Sequence, residues 1–127
     1  MPKYRSKFEK ELHKHVMPNL EYEPWRLSYF PVEKEYIPDF VNPTKKIIFE
    51  AKGYFRERAE ASKYFPIIEA AKAKGYRFVI IFQHPHNKMP GVRKRKDGTF
   101  QTMSEWATKN NIEWYSYRNI PQELLNV

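Results

Sequence analysis

The run Phe78-Val79-Ile80-Ile81-Phe82 is continuously apolar and lies between Arg77 and Gln83. A strand with one face in water would alternate apolar and polar side chains, because successive side chains point to opposite faces. An unbroken apolar run of this length is typical of a strand that is covered on both faces. We therefore expect this strand to lie centrally in a sheet that has other elements packed on each side.

Before this run, the sequence predicts one helix and three strands. Ser6-Lys7-Phe8-Glu9 has the form of a helix capping box, and Leu12 and Val16 follow Phe8 at four-residue spacing. This pattern predicts a short helix that ends before Pro18. Residues 20–30, 36–41 and 45–52 are rich in aromatic and apolar side chains, which predicts three consecutive, mostly antiparallel strands.

Helices and strands alternate in the rest of the chain. Residues 56–74 are rich in Ala, Glu, Lys and Arg, and Gly75 follows where a helix C-cap belongs. Pro66 should either kink this main helix or mark the first turn of its second half. A basic loop at 84–99, a helix at 102–110 and a last strand at 112–117 complete the order. The whole pattern predicts a single α/β domain over residues 1–127, with a mixed central β-sheet flanked by helices.

The composition favours a polyanionic partner. The chain has 23 Lys and Arg against 15 Asp and Glu, a formal net charge of +8 at pH 7. It has no cysteine, which excludes disulfides, thiolate nucleophiles and cysteine-based zinc sites. The charged N-terminal segment lacks the apolar stretch of a secretory signal or membrane anchor, so we expect a cytoplasmic protein without membrane contact.

One set of residues has the spacing of a metal-dependent hydrolytic site. Asp39 follows Pro38, and Glu50-Ala51-Lys52 is the only Glu-x-Lys in the chain. On a strand, Glu50 and Lys52 project from the same face about 6.6 Å apart. Oxygen ligands from Asp39, Glu50 and the Ala51 carbonyl suit Mg²⁺, and the Lys52 ammonium can stabilise charge that develops on a phosphate. The alternative interpretation is a surface salt bridge without catalytic meaning.

The chain also resembles endonuclease I of the T-seven phage group, a family of Holliday-junction resolvases in the PD-(D/E)xK nuclease superfamily. The residues that carry the resemblance are Arg5-Ser6-x-Phe8-Glu9, Tyr22-Glu23-x-Trp25, Ile37-Pro38-Asp39-Phe40, Glu50-Ala51-Lys52-Gly53, the 78–82 strand and Glu105-Trp106. The resemblance implies a restriction-endonuclease-like core and a homodimer that cuts four-way and other branched DNA in the cytoplasm of an infected host cell.

Carried over to this chain, the family's catalytic positions are Glu9, Asp39, Glu50 and Lys52. The family uses two Mg²⁺ or Mn²⁺ ions, for which Glu9, Asp39, Glu50 and Ala51 are the expected ligands. Glu9 has a second interpretation as the capping-box glutamate, in which case Glu11 is the alternative helical acid. The family's dimer exchanges elements through a bridge between strands. The matching stretch here, residues 30–36, is slightly shorter, so strand exchange stays open.

DNA contacts are expected from cations in three parts of the chain. The chain ends at Val127 without the family's basic tail, and the loop that contains Arg93-Lys94-Arg95-Lys96 offers a substitute for holding phosphates. A solvated charge run is the alternative for this loop. The remaining expected DNA-binding residues are Arg5, Lys7, Arg56 and Arg58.

Two other functions remain open from the sequence. One is a less structure-selective PD-(D/E)xK nuclease of the repair or restriction type, and the other is a non-catalytic basic DNA-binding module. A zinc site is not expected. His13 and His15 have a two-residue spacing that does not direct both rings to one metal on a helix, and His84 and His86 in the loop are interpreted as ordinary surface histidines.

Overall fold

The computed structural model describes residues 3–29 and 34–127. In chain order its elements are α1 (Lys7–Glu11), a π-helical turn (Leu12–Val16), β1 (Glu21–Tyr22), β2 (Leu27–Tyr29), β3 (Lys34–Tyr36), β4 (Phe40–Asn42), β5 (Ile47–Lys52), α2 (Arg58–Ser62), α3 (Tyr64–Ala73), β6 (Arg77–Phe82), α4 (Met103–Lys109), β7 (Glu113–Ser116) and a 3-10 turn (Gln122–Leu124). Helices flank the sheet, which confirms the expected mixed α/β architecture.

The main sheet has five strands in the order β1-β4-β5-β6-β7. Strands β1, β4 and β5 pair antiparallel, whereas β5, β6 and β7 pair parallel. The parallel pairs are connected through α2 and α3 and through α4, because a chain that re-enters a sheet in the same direction needs a crossover. Strands β2 and β3 form a separate antiparallel hairpin.

Side chains of β5 and β6 alternate between two apolar clusters. Ile48, Ile80 and Phe82 pack in the cluster that includes buried residues of α2, α3, α4 and the hairpin. Ile47, Phe49, Val79 and Ile81 pack on the opposite face with Leu12, Met17, Leu124 and Leu125. The five residues 78–82 are all buried, and β6 is paired on both edges. The expected interior strand with two covered faces is confirmed.

Three expected elements have different bounds. The sequence predicts one strand at 20–30 and one at 36–41, but each segment is divided between the main sheet and the hairpin. Glu23, at a φ of 44°, turns the chain after β1, and Pro24 and Pro38 cannot donate to a strand ladder. The single helix predicted at 56–74 is also wrong, because α2 and α3 meet at Lys63.

The second of these helices accommodates its proline in the expected way. Pro66 is in the first turn of α3, where backbone amide protons have no helical partner in any case. Gly75, at a φ of 81°, follows the helix end in the left-handed conformation that glycine adopts without strain.

Of the stretch considered for strand exchange, residues 30–33 lie outside the described residues, and residues 34–36 form β3. Across residues 3–29 and 34–127, no helix combines the length and apolar character that a bilayer crossing requires.

Candidate active site

Asp39 is held at the end of β5 by a backbone hydrogen bond. The last residue of β5 that pairs with β4 is Phe49, so the edge of β5 at Ala51 is no longer covered by that strand. The Asp39 carboxylate takes the vacant position, and its Oδ2 accepts a hydrogen bond from the Ala51 amide at 2.8 Å. Because the amide and carbonyl of one strand residue point to the same side, the Ala51 carbonyl also points toward the Asp39 side of β5.

Glu9 reaches the same region from α1, and it is 8% exposed. Its Oε1 accepts a hydrogen bond from the Tyr22 hydroxyl at 2.7 Å, and its Oε2 accepts one from the Ser6 hydroxyl at 2.9 Å. The Glu9 amide donates to Ser6 Oγ at 3.1 Å. Ser6 therefore caps α1 with its hydroxyl, but the Glu9 carboxylate accepts from the Ser6 and Tyr22 hydroxyls and not from the Ser6 amide, so only half of the expected capping box is formed.

Glu23 is a third acid at this position, and the sequence did not single it out. Carboxylate oxygens of Glu9, Glu23 and Asp39 lie within 4.8 Å of one another. The Glu23 amide donates to the Asp39 carbonyl at 2.8 Å, and Glu23 Oε2 accepts from Arg5 Nε at 2.8 Å. The Tyr22-Glu23-x-Trp25 match was the available signal, but no spacing rule links a residue in a turn to an aspartate sixteen positions later. We call Glu9, Glu23 and Asp39 the acid cluster.

The electrostatics of the acid cluster favour a bound cation. Burial raises the pKa of Asp39 well above its usual range, and repulsion from Glu50 and Glu9 raises it further. The Ala51 hydrogen bond and the charge of Lys52 oppose these effects without cancelling them. An additional positive charge at this position would therefore relieve the unfavourable burial of negative charge.

Glu50 is close enough to Asp39 to repel it electrostatically, and its carboxylate accepts hydrogen bonds from two tyrosine hydroxyls. Its Oε1 accepts from Tyr36 at 2.5 Å, and its Oε2 accepts from Tyr64 at 2.7 Å. Burial raises the pKa of Glu50, while Lys52 and the two hydroxyl donors oppose that shift. Burial and the nearby charge of Glu50 also raise the pKa of both tyrosines well above 10, which keeps the hydroxyls protonated as donors. Each carboxylate oxygen retains a lone pair for a further ligand.

Lys52 projects on the same side of β5 as Glu50. Its Nζ is 4.0 Å from Glu50 Oε2 and 2.9 Å from Glu60 Oε1, and it lies over the rings of Tyr64 and Phe55 at 5.4 and 5.8 Å from their centroids. Burial alone would raise the pKa of Glu60, but the hydrogen bond and charge of Lys52 lower it below its usual value. Glu60, Tyr36 and Tyr64 were not identified as site residues from the sequence.

An open cleft of about 680 Å³ lies at one side of this site, and Asp39, Glu23 and Glu50 are not among its lining residues. Glu9 and Lys52 line it together with two of the expected DNA-binding cations, Lys7 and Arg56. Tyr54 also lines the cleft, and its side chain is 61% exposed. The other lining residues are Ser6, Phe8, Glu11, Ala51, Gly53, Glu60, Gln83 and Tyr117.

The remaining expected DNA-binding residues lie away from this cleft or are paired. Arg5 is paired with Glu23, and Arg58 donates to the Pro90 carbonyl at 3.4 Å. Residues 93–96 are exposed and are absent from the cleft lining within the described part of the chain. In this loop, Arg95 is paired with Glu105 at 2.8 Å.

The ligand chemistry of the acid cluster suits a hard divalent cation. Mg²⁺ binds oxygens at about 2.0 to 2.1 Å, which places opposite ligands about 4.2 Å apart. Adjacent ligands of such an ion are about 3 Å apart, so carboxylate oxygens that lie within 4.8 Å of one another can converge on one ion by side-chain movement. The acid cluster contains carboxylates and no histidine. His13 is not available as a ligand, because its two ring nitrogens are hydrogen-bonded to the Tyr4 hydroxyl and the Leu20 carbonyl. The acid cluster therefore fits Mg²⁺ or Mn²⁺ better than zinc.

Neither a comparison with known protein families nor a comparison with curated proteins finds a match for this chain. The geometry of the site and the sequence resemblance are therefore the basis for assigning a function.

Proposed function

We propose that this protein is a metal-dependent DNA endonuclease of the PD-(D/E)xK superfamily, with a restriction-endonuclease-like core, that resolves four-way junctions and other branched DNA. One observation carries the proposal. The acid cluster lies at the edge of β5, where Asp39 accepts the Ala51 amide hydrogen bond, and Ala51 and Lys52 line an open cleft. Carboxylates and a lysine at one strand end are the groups that phosphodiester hydrolysis requires.

The proposed ligands of the metal are Glu9, Asp39, Glu50 and the Ala51 carbonyl, as expected from the sequence. The structure adds Glu23 to this set, because its carboxylate lies in the acid cluster. When bound, Mg²⁺ or Mn²⁺ activates a water and neutralises charge on the phosphate. Two ions are expected, as in the family that the sequence resembles. Burial, followed by repulsion from Glu50 and Glu9, raises the pKa of Asp39, and the repulsion supports cation binding at this site.

The chain's own residues would hold the substrate at this edge. The Lys52 ammonium has three donors, and those that do not bond Glu60 can reach a phosphate oxygen. Gly53 lines the cleft without a side chain, which leaves room for a phosphate to approach the backbone. Lys7 and Arg56 are located in the cleft to neutralise the neighbouring phosphates.

Three further parts of the proposal rest on the sequence resemblance. They are selectivity for branched DNA, action in the cytoplasm of an infected host cell, and assembly as a homodimer, for which strand exchange stays open. A net charge of +8 supports a nucleic-acid partner in general.

A cleavage assay tests the proposal. Wild-type protein with Mg²⁺ should cut a synthetic four-way junction at paired, near-symmetric positions, and should leave a linear duplex of the same sequence largely intact. Lys52→Ala and Glu50→Gln should reduce cleavage to a small residual rate while junction binding persists in Ca²⁺. Equal cleavage of the duplex would indicate a less structure-selective nuclease, and binding without cleavage by the wild type would indicate a non-catalytic module.

A further inference from the structure

The proposed catalytic lysine has a specific anchor. Lysine carries its charge on a flexible four-carbon chain, so the position of the ammonium depends on what it contacts. Lys52 Nζ donates to Glu60 Oε1 at 2.9 Å, which is much closer than its 4.0 Å approach to Glu50 Oε2. Both partners of the Lys52–Glu60 pair are largely buried, at 16% and 19% side-chain exposure, so water screens this pair less than a pair on the open surface.

Glu60 is itself held in place from two directions. Its Oε2 accepts from the Arg56 amide at 3.3 Å, which leaves Oε1 directed to Lys52. Its neighbour Ala61 is fully buried in the core beneath α2. This carboxylate is therefore a fixed acceptor on a packed helix, and it lies at the wall of the cleft.

We propose that Glu60 is a positioning residue that holds the Lys52 ammonium at the cleft wall, displaced from Glu50. Without Glu60, the ammonium would be free to move onto the Glu50 carboxylate or into solvent, and Lys52 would lose its fixed direction toward a phosphate in the cleft. The catalytic part of this inference rests on the proposed nuclease function, whereas the positional part does not.

Amine labelling tests the positional part without any substrate. Lys52 of the folded protein is labelled with an amine-reactive reagent at fixed pH, and the extent is read by peptide mass spectrometry. Glu60→Ala should increase the labelling rate of Lys52 severalfold, because the amine loses its hydrogen-bond partner and becomes more exposed. Glu57→Ala is the matched control, since Glu57 is exposed and its side chain makes no cap hydrogen bond to α2. Equal labelling of Lys52 in Glu60→Ala and wild type would overturn the proposal.

A double-mutant cycle on single-turnover cleavage of the junction tests the catalytic part. Removing a partner that orients a ligand of a metal site typically costs about 10- to 100-fold in activity, and we expect a loss of this order in Glu60→Ala with unchanged junction binding in Ca²⁺. In the Lys52→Ala background, Glu60→Ala should cause no further loss. Partial rescue is expected in Glu60→Gln, which keeps an acceptor oxygen but not the charge. A further loss of the same size in the Lys52→Ala background would overturn the positioning role.

The two assays separate the inference from the proposed function. If wild-type protein cuts no DNA, the nuclease proposal fails, and the labelling result still decides whether Glu60 positions Lys52. If wild-type protein cuts junctions and Glu60→Ala cuts them equally fast, the nuclease proposal stands and this inference fails. Thermal unfolding of each variant distinguishes a local effect from loss of the fold.

Discussion

Replacing Asp39 with asparagine should stabilise the metal-free protein. The substitution removes one negative charge from the acid cluster and keeps an oxygen that can accept the Ala51 amide hydrogen bond. Because asparagine has nearly the same shape, the packing around this 9% exposed side chain should persist. The dominant change is then electrostatic.

The size of the effect follows from the geometry. Two unit charges 4.8 Å apart, the upper limit within the acid cluster, repel by about 3.5 kcal/mol at an effective dielectric constant near 20. The cations Arg5 and Lys52 offset part of this repulsion, so we expect a net gain of about 2 kcal/mol. For a domain of this size, a gain of that order raises the Tm by about 6 to 10 °C.

The pH dependence has a definite sign. The folded-state pKa of Asp39 is raised above its unfolded value, so the folded protein holds this proton more tightly than the unfolded chain does. The stability of metal-free wild type associated with this group should therefore be fully present below about pH 4, and should be lost as the pH rises through the folded pKa. Asp39→Asn should remove this component of the pH dependence.

The assay is thermal unfolding by circular dichroism at pH 8, in EDTA and in excess MgCl₂. A hundredfold excess of Mg²⁺ over its dissociation constant should stabilise wild type by about 2.7 kcal/mol, and Asp39→Asn should lose most of this gain. Asp97→Asn is the matched control, since Asp97 is the other aspartate of the chain and lies exposed in a loop where it accepts from Thr99. A lower Tm for Asp39→Asn than for wild type in EDTA, or an undiminished Mg²⁺ effect, would refute this reasoning.

Glu23→Gln should weaken Mg²⁺ binding, measured by calorimetry, about tenfold, a typical loss when a partner of a metal site is removed. Glu21 is an exposed neighbour, so Glu21→Gln should bind Mg²⁺ as wild type does. Equal affinities of Glu23→Gln and wild type would exclude Glu23 from the site. Tyr64→Phe should lower the free energy of unfolding by about 1 to 3 kcal/mol, because buried Glu50 loses one of its two hydroxyl donors. Unfolding in urea measures this free energy. An unchanged midpoint of the urea transition would mean that the Tyr64 hydroxyl is dispensable for stability. Replacing Arg93, Lys94 and Lys96 with alanine should weaken the salt dependence of junction binding. The slope of the logarithm of the binding constant against the logarithm of the salt concentration should become shallower by about 0.9 for each phosphate that the loop no longer neutralises. An unchanged slope would mean that this loop is not part of the DNA interface.

The sequence by itself determined the layered architecture and identified part of the candidate site. The 78–82 run could be interpreted without tertiary information, because alternation of side chains leaves an unbroken apolar run few alternatives to burial on both faces. Glu50 and Lys52 were recognisable for the same reason, since a two-residue spacing on a strand sets their common face. Asp39 was found through its place beside Pro38 and its match to a known motif.

The tertiary structure decided which groups surround these residues. Glu23 meets Asp39 through strand pairing between β1 and β4, and the tyrosines that hold Glu50 come from the hairpin and from α3. Glu60 reaches Lys52 because α2 packs beside the end of β5. Local periodicity carries no information on such contacts, since they depend on how separate segments pack. The division of the segment at 36–41 has a similar cause, because its two ends join different sheets.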